Sequence, residues 1–109
     1  MAIKANIVID QGTDYETVIN VTDENGDIVD LTGYTGAAQM RKHYSSSAQT
    51  AFTVAVSNTY GTVTLSMNSA TTNAVSAGRY VYDCELRSSA NIVSRLIEGI
   101  VTVTPQVTR

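Results

Sequence analysis

The stretch that decides the fold is residues 79–86, which read RYVYDCEL. Every second residue is apolar or aromatic, while Asp83 and Glu85 lie between them. Side chains alternate between the two faces of a β-strand, so one face of this stretch is apolar and the other is polar. The pattern is typical of a half-buried strand. Its inward side chains are predicted to be Tyr80, Tyr82, Cys84 and Leu86.

The same alternation recurs outward in both directions along the chain. Further rows that share one face are Tyr15, Thr17, Ile19 and Val21; Tyr34, Gly36, Ala38 and Met40; Phe52, Val54 and Val56; and Val63, Leu65 and Met67. We also expect an N-terminal strand over Ile3–Ile9, a brief one at Ile28–Val29 and a long last strand over Ile92–Thr104. Gly99 in the last strand fits a bulge or a close backbone approach.

Turn signals separate these strands. Asn25-Gly26 predicts a hairpin because both residues tolerate positive φ, and Ser88–Asn91 reads as a second hairpin loop. A short helix is expected after Ser69, which can cap it. About seven or eight strands at intervals of roughly 8–15 residues indicate an all-β, antiparallel Ig-like sandwich with one helical turn. At 109 residues, with 43 % hydrophobic residues, the chain is predicted to be one domain spanning residues 1–109.

Charge and composition argue against several classes of partner. The formal net charge is −3, and the seven Lys and Arg residues are scattered rather than gathered into a basic patch. We therefore expect no nucleic-acid binding. No segment is apolar for long enough to span a bilayer or to act as a signal sequence, and a lone Cys84 cannot form an internal disulfide. The expectation is a soluble protein made in a cytoplasm.

The search for catalytic groups predicts none. His43, the one histidine, lies in the polar stretch 43–50, and no serine occupies a Gly-x-Ser-x-Gly turn, so a solvated loop histidine is favoured over a catalytic one. Cys84 falls on the apolar side of its strand, which favours core packing over nucleophilic chemistry. No glycine-rich loop is combined with Lys-Ser or Lys-Thr, so no phosphate cradle is expected.

Two acidic groups are candidates for functional sites. The Asp23–Asp27 turn offers oxygen ligands but lacks EF-hand spacing, so a solvated hairpin is favoured and a weak calcium site stays open. Asp83 and Glu85 share a strand face with Arg87, and Arg87 and Arg95 are predicted to be their cross-strand charge partners. We predict no metal ligands, no cofactor and no enzyme activity.

Tyrosines supply the remaining candidates for binding. Tyr44 and Tyr60 fall in predicted loops, where an exposed ring brings a large contact area at low entropic cost. Simple turn filling is the commoner role of such residues.

Several stretches together resemble a known group of proteins. They are Gln11–Tyr15, Asp30–Thr35, Ala38–Arg41, Ala77–Asp83, Glu85–Leu86, Arg95–Pro105 and Thr108–Arg109. The chain resembles, over nearly its whole length, the small β-sandwich structural proteins of tailed bacteriophages and prophages found among tail, baseplate and fibre components. The Leu31-Thr32-Gly33 corner and the following strand are similar to the attachment domain of some baseplate upper proteins. The resemblance implies a virion component with an Ig-like or related fold and implies no catalytic residues.

The leading hypothesis is therefore a non-enzymatic virion protein that assembles with itself, as a homo-oligomer, and with other virion proteins, without inserting into a membrane. The last strand and the N-terminal strand are the predicted intermolecular contacts. The alternative is a carbohydrate- or receptor-binding β-sandwich module that uses Tyr44, Tyr60 and His43. An enzyme is the third hypothesis.

Overall fold

The computed structural model describes residues 3–22, 25–58 and 60–108. These residues form eight strands and one short helix, which confirms the all-β, Ig-like sandwich predicted from the sequence. The elements are β1 Ile3–Lys4, β2 Ile7–Asp10, β3 Tyr15–Asn20, β4 Thr35–Arg41, β5 Thr50–Ser57, β6 Thr62–Met67, α1 Ser69–Ala74, β7 Gly78–Arg87 and β8 Val93–Thr104. No helix within the described ranges is both long and apolar enough to cross a membrane.

One continuous hydrogen-bonded path connects the strands in the order β1-β8-β7-β4-β5-β6-β3, and β2 also pairs with β8. β5 divides its pairing: Thr50 to Phe52 lie beside β4, and Thr53 to Ser57 lie beside β6. The first part of β5 therefore belongs to one sheet and the second part to the other. This change of partner lets the sheet curl, so that both halves contribute to one core.

The predicted alternation is confirmed in the central strands. Val63 and Leu65 of β6 are fully buried, and Cys84 of β7 is fully buried on the face predicted for it. One apolar cluster draws buried side chains from every strand between β2 and β8. The Phe52 and Tyr82 rings lie within it with centroids 6.2 Å apart and planes tilted by 59°. A tilted aromatic pair at this separation has a favourable electrostatic geometry.

The N-terminal segment joins β8 in parallel, whereas all the other strand pairs are antiparallel. Ile3 lies beside Ile97 and Ile7 beside Val101, so β1 and β2 keep one register on either side of a break at residues 5–6. At the break the Asn6 side-chain Oδ1 accepts a hydrogen bond from the Ile100 N–H at 3.1 Å. The side chain thus satisfies a donor that the interrupted ladder would leave open.

Gly99 is placed where this break meets β8. A Cβ atom built on Gly99 would lie 2.1 Å from the Ala5 carbonyl oxygen, which is closer than atoms can pack. The same oxygen accepts a hydrogen bond of 2.6 Å from the Tyr82 hydroxyl, and Tyr82 is the cross-strand neighbour of Gly99. The predicted close backbone approach at Gly99 is therefore confirmed, and the glycine is needed because a backbone atom occupies the space of a side chain.

The parallel pairing and the break at residues 5–6 correct the sequence-based expectation of one strand over Ile3–Ile9 in an antiparallel sandwich. Four further details differ from the sequence-based expectations. The bulge in β8 lies at Leu96, because Cys84 pairs with Ile97 and Glu85 pairs with Arg95. The cap of α1 is Asn68 rather than Ser69, since the Asn68 side chain accepts from the Thr71 N–H at 2.8 Å. Within the described residues, the expected strand at Ile28–Val29 is reduced to one bridge between Thr22 and Ile28.

The fourth difference concerns the predicted intermolecular edge. From Ile97 to Val103, β8 is paired with β7 on one side. On its other side it is paired with β1 at Ile97–Glu98 and with β2 at Val101–Thr104. It is therefore an interior strand over that length, with the Ile100 N–H at the break taken by the Asn6 side chain. The N-terminal segment covers the edge of the last strand there, so a partner cannot pair with its backbone, and contact through its side chains stays a prediction.

We predict that Gly99→Ala destabilises the fold by about 1–3 kcal/mol, because the added methyl group has to displace the Ala5 backbone. The free energy of unfolding is measured by urea denaturation. Ser94→Ala on the exposed part of the same strand is the matched control and is expected to change stability by less than about 0.5 kcal/mol. Hydrogen exchange should show faster exchange of the Ala5 amide, which donates to the Glu98 carbonyl at 2.9 Å. Unchanged stability and exchange in Gly99→Ala would contradict this account.

Candidate functional site

The outer face of the sheet holds a shallow groove across β4, β7 and β8. We call it the outer groove, and its cavity of about 240 Å³ is lined by Gln39, Arg41, Tyr44, Val81, Tyr82, Asp83 and Arg95. Strand register creates it, because Gln39 lies opposite Asp83, which in turn lies opposite Glu98. These positions alternate with the buried ones, so their side chains project away from the core.

Ion pairs cross the floor of the outer groove. Arg95 Nε lies 3.4 Å from Asp83 Oδ2, and its Nη1 lies 3.7 Å from Glu98 Oε2. The predicted pairing of Arg95 with the acidic face of β7 is therefore confirmed. Arg87, the other predicted cation, has no ion pair in the part of the chain that is described. Arg95 and Asp83 are both about half exposed, so water screens their attraction and their groups can exchange partners with a ligand.

Arg41 fixes the loop that borders the outer groove. Its guanidinium donates to the Ser46 carbonyl at 2.6 Å, to the Ser47 carbonyl at 3.2 Å and to Gln39 Oε1 at 3.0 Å. These bonds fold residues 43–48 back toward β4 and place Tyr44 at the rim, with 84 % of its surface exposed. Sequence reasoning identified Tyr44 but missed Arg41 and Gln39, whose contribution depends on the register of β4 against β7.

An apolar area adjoins the outer groove on the same face. We call it the outer apolar corner and define it as Val8 of β2, Ile100 of β8 and Val81 of β7. Val8 is 62 % exposed and Ile100 is 41 % exposed. Val81 lies directly opposite Ile100, and Val8 lies opposite Thr102, two residues along the same face of β8. The corner is therefore held by three hydrogen-bonded strands rather than by a mobile loop.

The structure keeps the sequence-derived chemical candidates apart. His43 is exposed in the loop beyond β4, and its backbone N–H donates to Ser46 Oγ at 3.1 Å. Cys84 is fully buried, as predicted for core packing. Burial, together with the nearby Asp83 and Glu85, raises the pKa of the Cys84 thiol to about 11. A thiol with a raised pKa is a poor nucleophile at neutral pH.

The candidate calcium turn, Asp23–Asp27, lies partly outside the residues that the structure describes. Asp23 and Glu24, two members of the candidate calcium turn, lie outside the described residues. Among the residues that are described, no three His, Cys, Asp or Glu side chains converge as metal ligands. The two loop tyrosines are exposed as predicted, and Tyr60, at 71 %, is not part of the outer groove.

Tyr82 lines the outer groove, and its hydroxyl donates to the Ala5 carbonyl between β1 and β2. Burial raises the pKa of Tyr82 to about 12, with the neighbouring Tyr15 and Cys84 adding to the effect. The folded state therefore holds the Tyr82 and Cys84 protons to higher pH than the unfolded state does. As pH rises above about 9, the unfolded chain loses these protons before the folded chain does. Ionisation then stabilises the unfolded state, so the free energy of unfolding falls.

We predict that the free energy of unfolding falls steadily between about pH 9 and pH 12. Urea denaturation at several pH values in this window measures it. Tyr82→Phe should lower stability at pH 7 by about 1–2 kcal/mol through loss of the hydrogen bond to the Ala5 carbonyl, and should flatten the decline above about pH 10. Equal slopes in the two proteins, or a Tyr82 hydroxyl that titrates like an exposed tyrosine, would contradict the assigned role of burial.

Comparison with known proteins supports the fold and goes no further. No protein-family model matches the chain, and no curated protein matches it. Among solved structures, an internalin-like protein of Listeria monocytogenes matches with a TM-score of 0.52 and 15 % sequence identity. The match covers 94 % of this chain but only 28 % of that protein's chain. At this identity the likeness shows a shared β-fold alone.

Proposed function

We propose that the chain is a non-enzymatic structural or accessory protein of a tailed bacteriophage or prophage particle. In this role it assembles with itself and with neighbouring tail, baseplate or fibre proteins. The sequence resemblance suggests the kind of particle, and the outer apolar corner is the observation that supports assembly. A rigid face with exposed valine and isoleucine is suited to permanent contact with another protein.

The outer apolar corner has the composition of an interface centre. Val8 and Ile100 are held on strands, so covering them costs little ordering entropy. Each Å² of apolar surface removed from water contributes about 25 cal/mol. The charged outer groove next to the corner supplies the polar rim that orients a partner, with Arg95 and Asp83 able to form hydrogen bonds outward. The two areas together make one continuous surface of mixed character.

The test is whether particles carry the chain and whether the outer apolar corner holds it there. Particles are purified from a strain that produces them with the chain encoded in trans, and the chain is quantified by mass spectrometry. We expect wild type in the particles and a loss of roughly tenfold or more for Val8→Lys combined with Ile100→Lys, because two charges are then buried at the contact. Both positions are exposed, so the variant is expected to remain folded.

Val93→Lys is the matched control, since Val93 is a strand valine with 46 % exposure outside the corner. It should enter particles like the wild type. Absence of the wild-type chain from purified particles would overturn the proposed function. Equal incorporation of the double variant would show that another surface makes the contact.

A second candidate function is carbohydrate binding in the outer groove. The observation in its favour is that Tyr44 stands exposed at the rim of a cavity lined by amide, guanidinium and carboxylate groups. Sugars bind where an aromatic ring faces their C–H groups and polar side chains meet their hydroxyls.

Glycan binding predicts a difference between two otherwise similar tyrosines. On an array of bacterial surface glycans, Tyr44→Ala should lose about tenfold or more in signal, because stacking over the groove is removed. Tyr60→Ala removes another largely exposed loop tyrosine, which lies away from the groove, and should bind like the wild type. A wild-type protein that binds no glycan, or equal losses in both variants, would count against this function.

A further inference from the structure

β3 ends the strand order opposite the N-terminal strands. Within the described residues it pairs only with β6, through all six of its positions from Tyr15 to Asn20. Its other side is a sheet edge. An unprotected edge presents N–H and C=O groups in the spacing that another strand can pair with.

The backbone groups on this edge can be assigned. The Val21 N–H donates to the Gly61 carbonyl at 2.8 Å, which directs the backbone groups of Val21 toward the β6 side. Backbone groups of an antiparallel ladder alternate in direction from one residue to the next. The N–H and C=O groups of Glu16, Val18 and Asn20 therefore point away from β6. The same three residues also expose their side chains on the outer face.

The two ends of the sheet differ in how they are protected. β1 and β2 are two and four residues long and are separated by the break at residues 5–6, with Lys4 just before it. A short strand, an interruption and an edge lysine all oppose pairing with another chain. β3 has six consecutive residues, no lysine, no proline and no bulge in its pairing with β6. β3 is thus the edge that the fold leaves open.

β3 is also complementary to itself. When two copies pair antiparallel about a two-fold axis at Val18, the two Val18 side chains meet on the outer face. Glu16 of each copy then lies opposite Asn20 of the other, where the amide can donate to the carboxylate. On the inner face Thr17 lies opposite Ile19. In this register no like charges face each other, and no carboxylate lies opposite an apolar side chain.

We propose that two copies of this chain associate through β3 in this register, forming one continuous sheet across a two-fold axis. The inference rests on the proposed function, since it identifies one partner in the assembly as a second copy. A two-fold axis at Thr17 would place Glu16 opposite Val18 twice, setting each carboxylate against an apolar side chain. The axis at Val18 avoids that cost.

The first experiment measures association of the purified chain by sedimentation velocity across a wide concentration range. The wild type is expected to shift from one copy of 11.6 kDa to two as concentration rises. Val18→Lys places two ammonium groups against each other at the axis and should weaken association by roughly tenfold or more. Val93→Lys, at a comparably exposed strand valine, should associate like the wild type.

The second experiment locates the contact by hydrogen exchange at low and high concentration. The amides of Glu16, Val18 and Asn20 are expected to exchange more slowly at high concentration, while the amide of Val8 on the opposite edge does not change. Association with no added protection at these three amides would overturn the β3 contact. A wild type that stays a single copy at all concentrations would overturn it as well.

These outcomes are separable from those of the proposed function. A single-copy protein that is found in particles would refute the β3 pair and leave assembly with other proteins standing. A β3-paired protein that is absent from particles would refute the proposed particle function and leave the pair standing.

Discussion

The constraint on which this structure depends is that every long strand has one apolar face, and a single flat sheet cannot hide all those faces. The sheet has to curl until its own halves cover each other. β5 makes this possible by pairing first with β4 and then with β6. The core that results takes the inward residues of seven strands, β2 to β8. The core leaves exposed the outer faces of the sheet and the two strands at the ends of the strand order. Any functional surface has to be formed by these parts.

Alternation of apolar and polar residues was enough to predict most of the buried positions in the strands, because the side-chain period of a strand is fixed at two. The buried rows of β4, β6 and β7 were identified from the sequence, and so was the burial of Cys84. The N-terminal strand was also identified, but its parallel pairing with β8 was not, since β8 lies more than 90 residues away and nothing local specifies direction. Asn68 was missed as a helix cap because Ser69, beside it, is an equally good capping residue.

The outer groove could not be derived from the sequence for a related reason. Its polar residues come from three strands that are distant along the chain, and only the register brings Gln39 beside Asp83 and Arg95 beside Asp83. A shift of one residue would have turned each of these side chains into the core. Tyr44 was recognisable because a polar loop exposes an aromatic ring wherever its neighbours lie. Arg41, which positions that loop, has no comparable local signal.

The treatment of the two sheet edges shows how the fold can direct association. At one edge the Ala5 carbonyl occupies the space that a side chain at Gly99 would fill and accepts a hydrogen bond from the Tyr82 hydroxyl. The N-terminal segment thus covers β8, but its hydrogen-bonded ladder is interrupted there. That break shortens the exposed edge and makes it a poor template. At the other edge β3 stays regular and bears no charge at its centre. A protein in which both sheet edges are protected from pairing would stay monomeric. A protein with two open edges could add further copies at each end and polymerise. With a single open edge that is complementary to itself, association stops at two copies, because both edges are then paired.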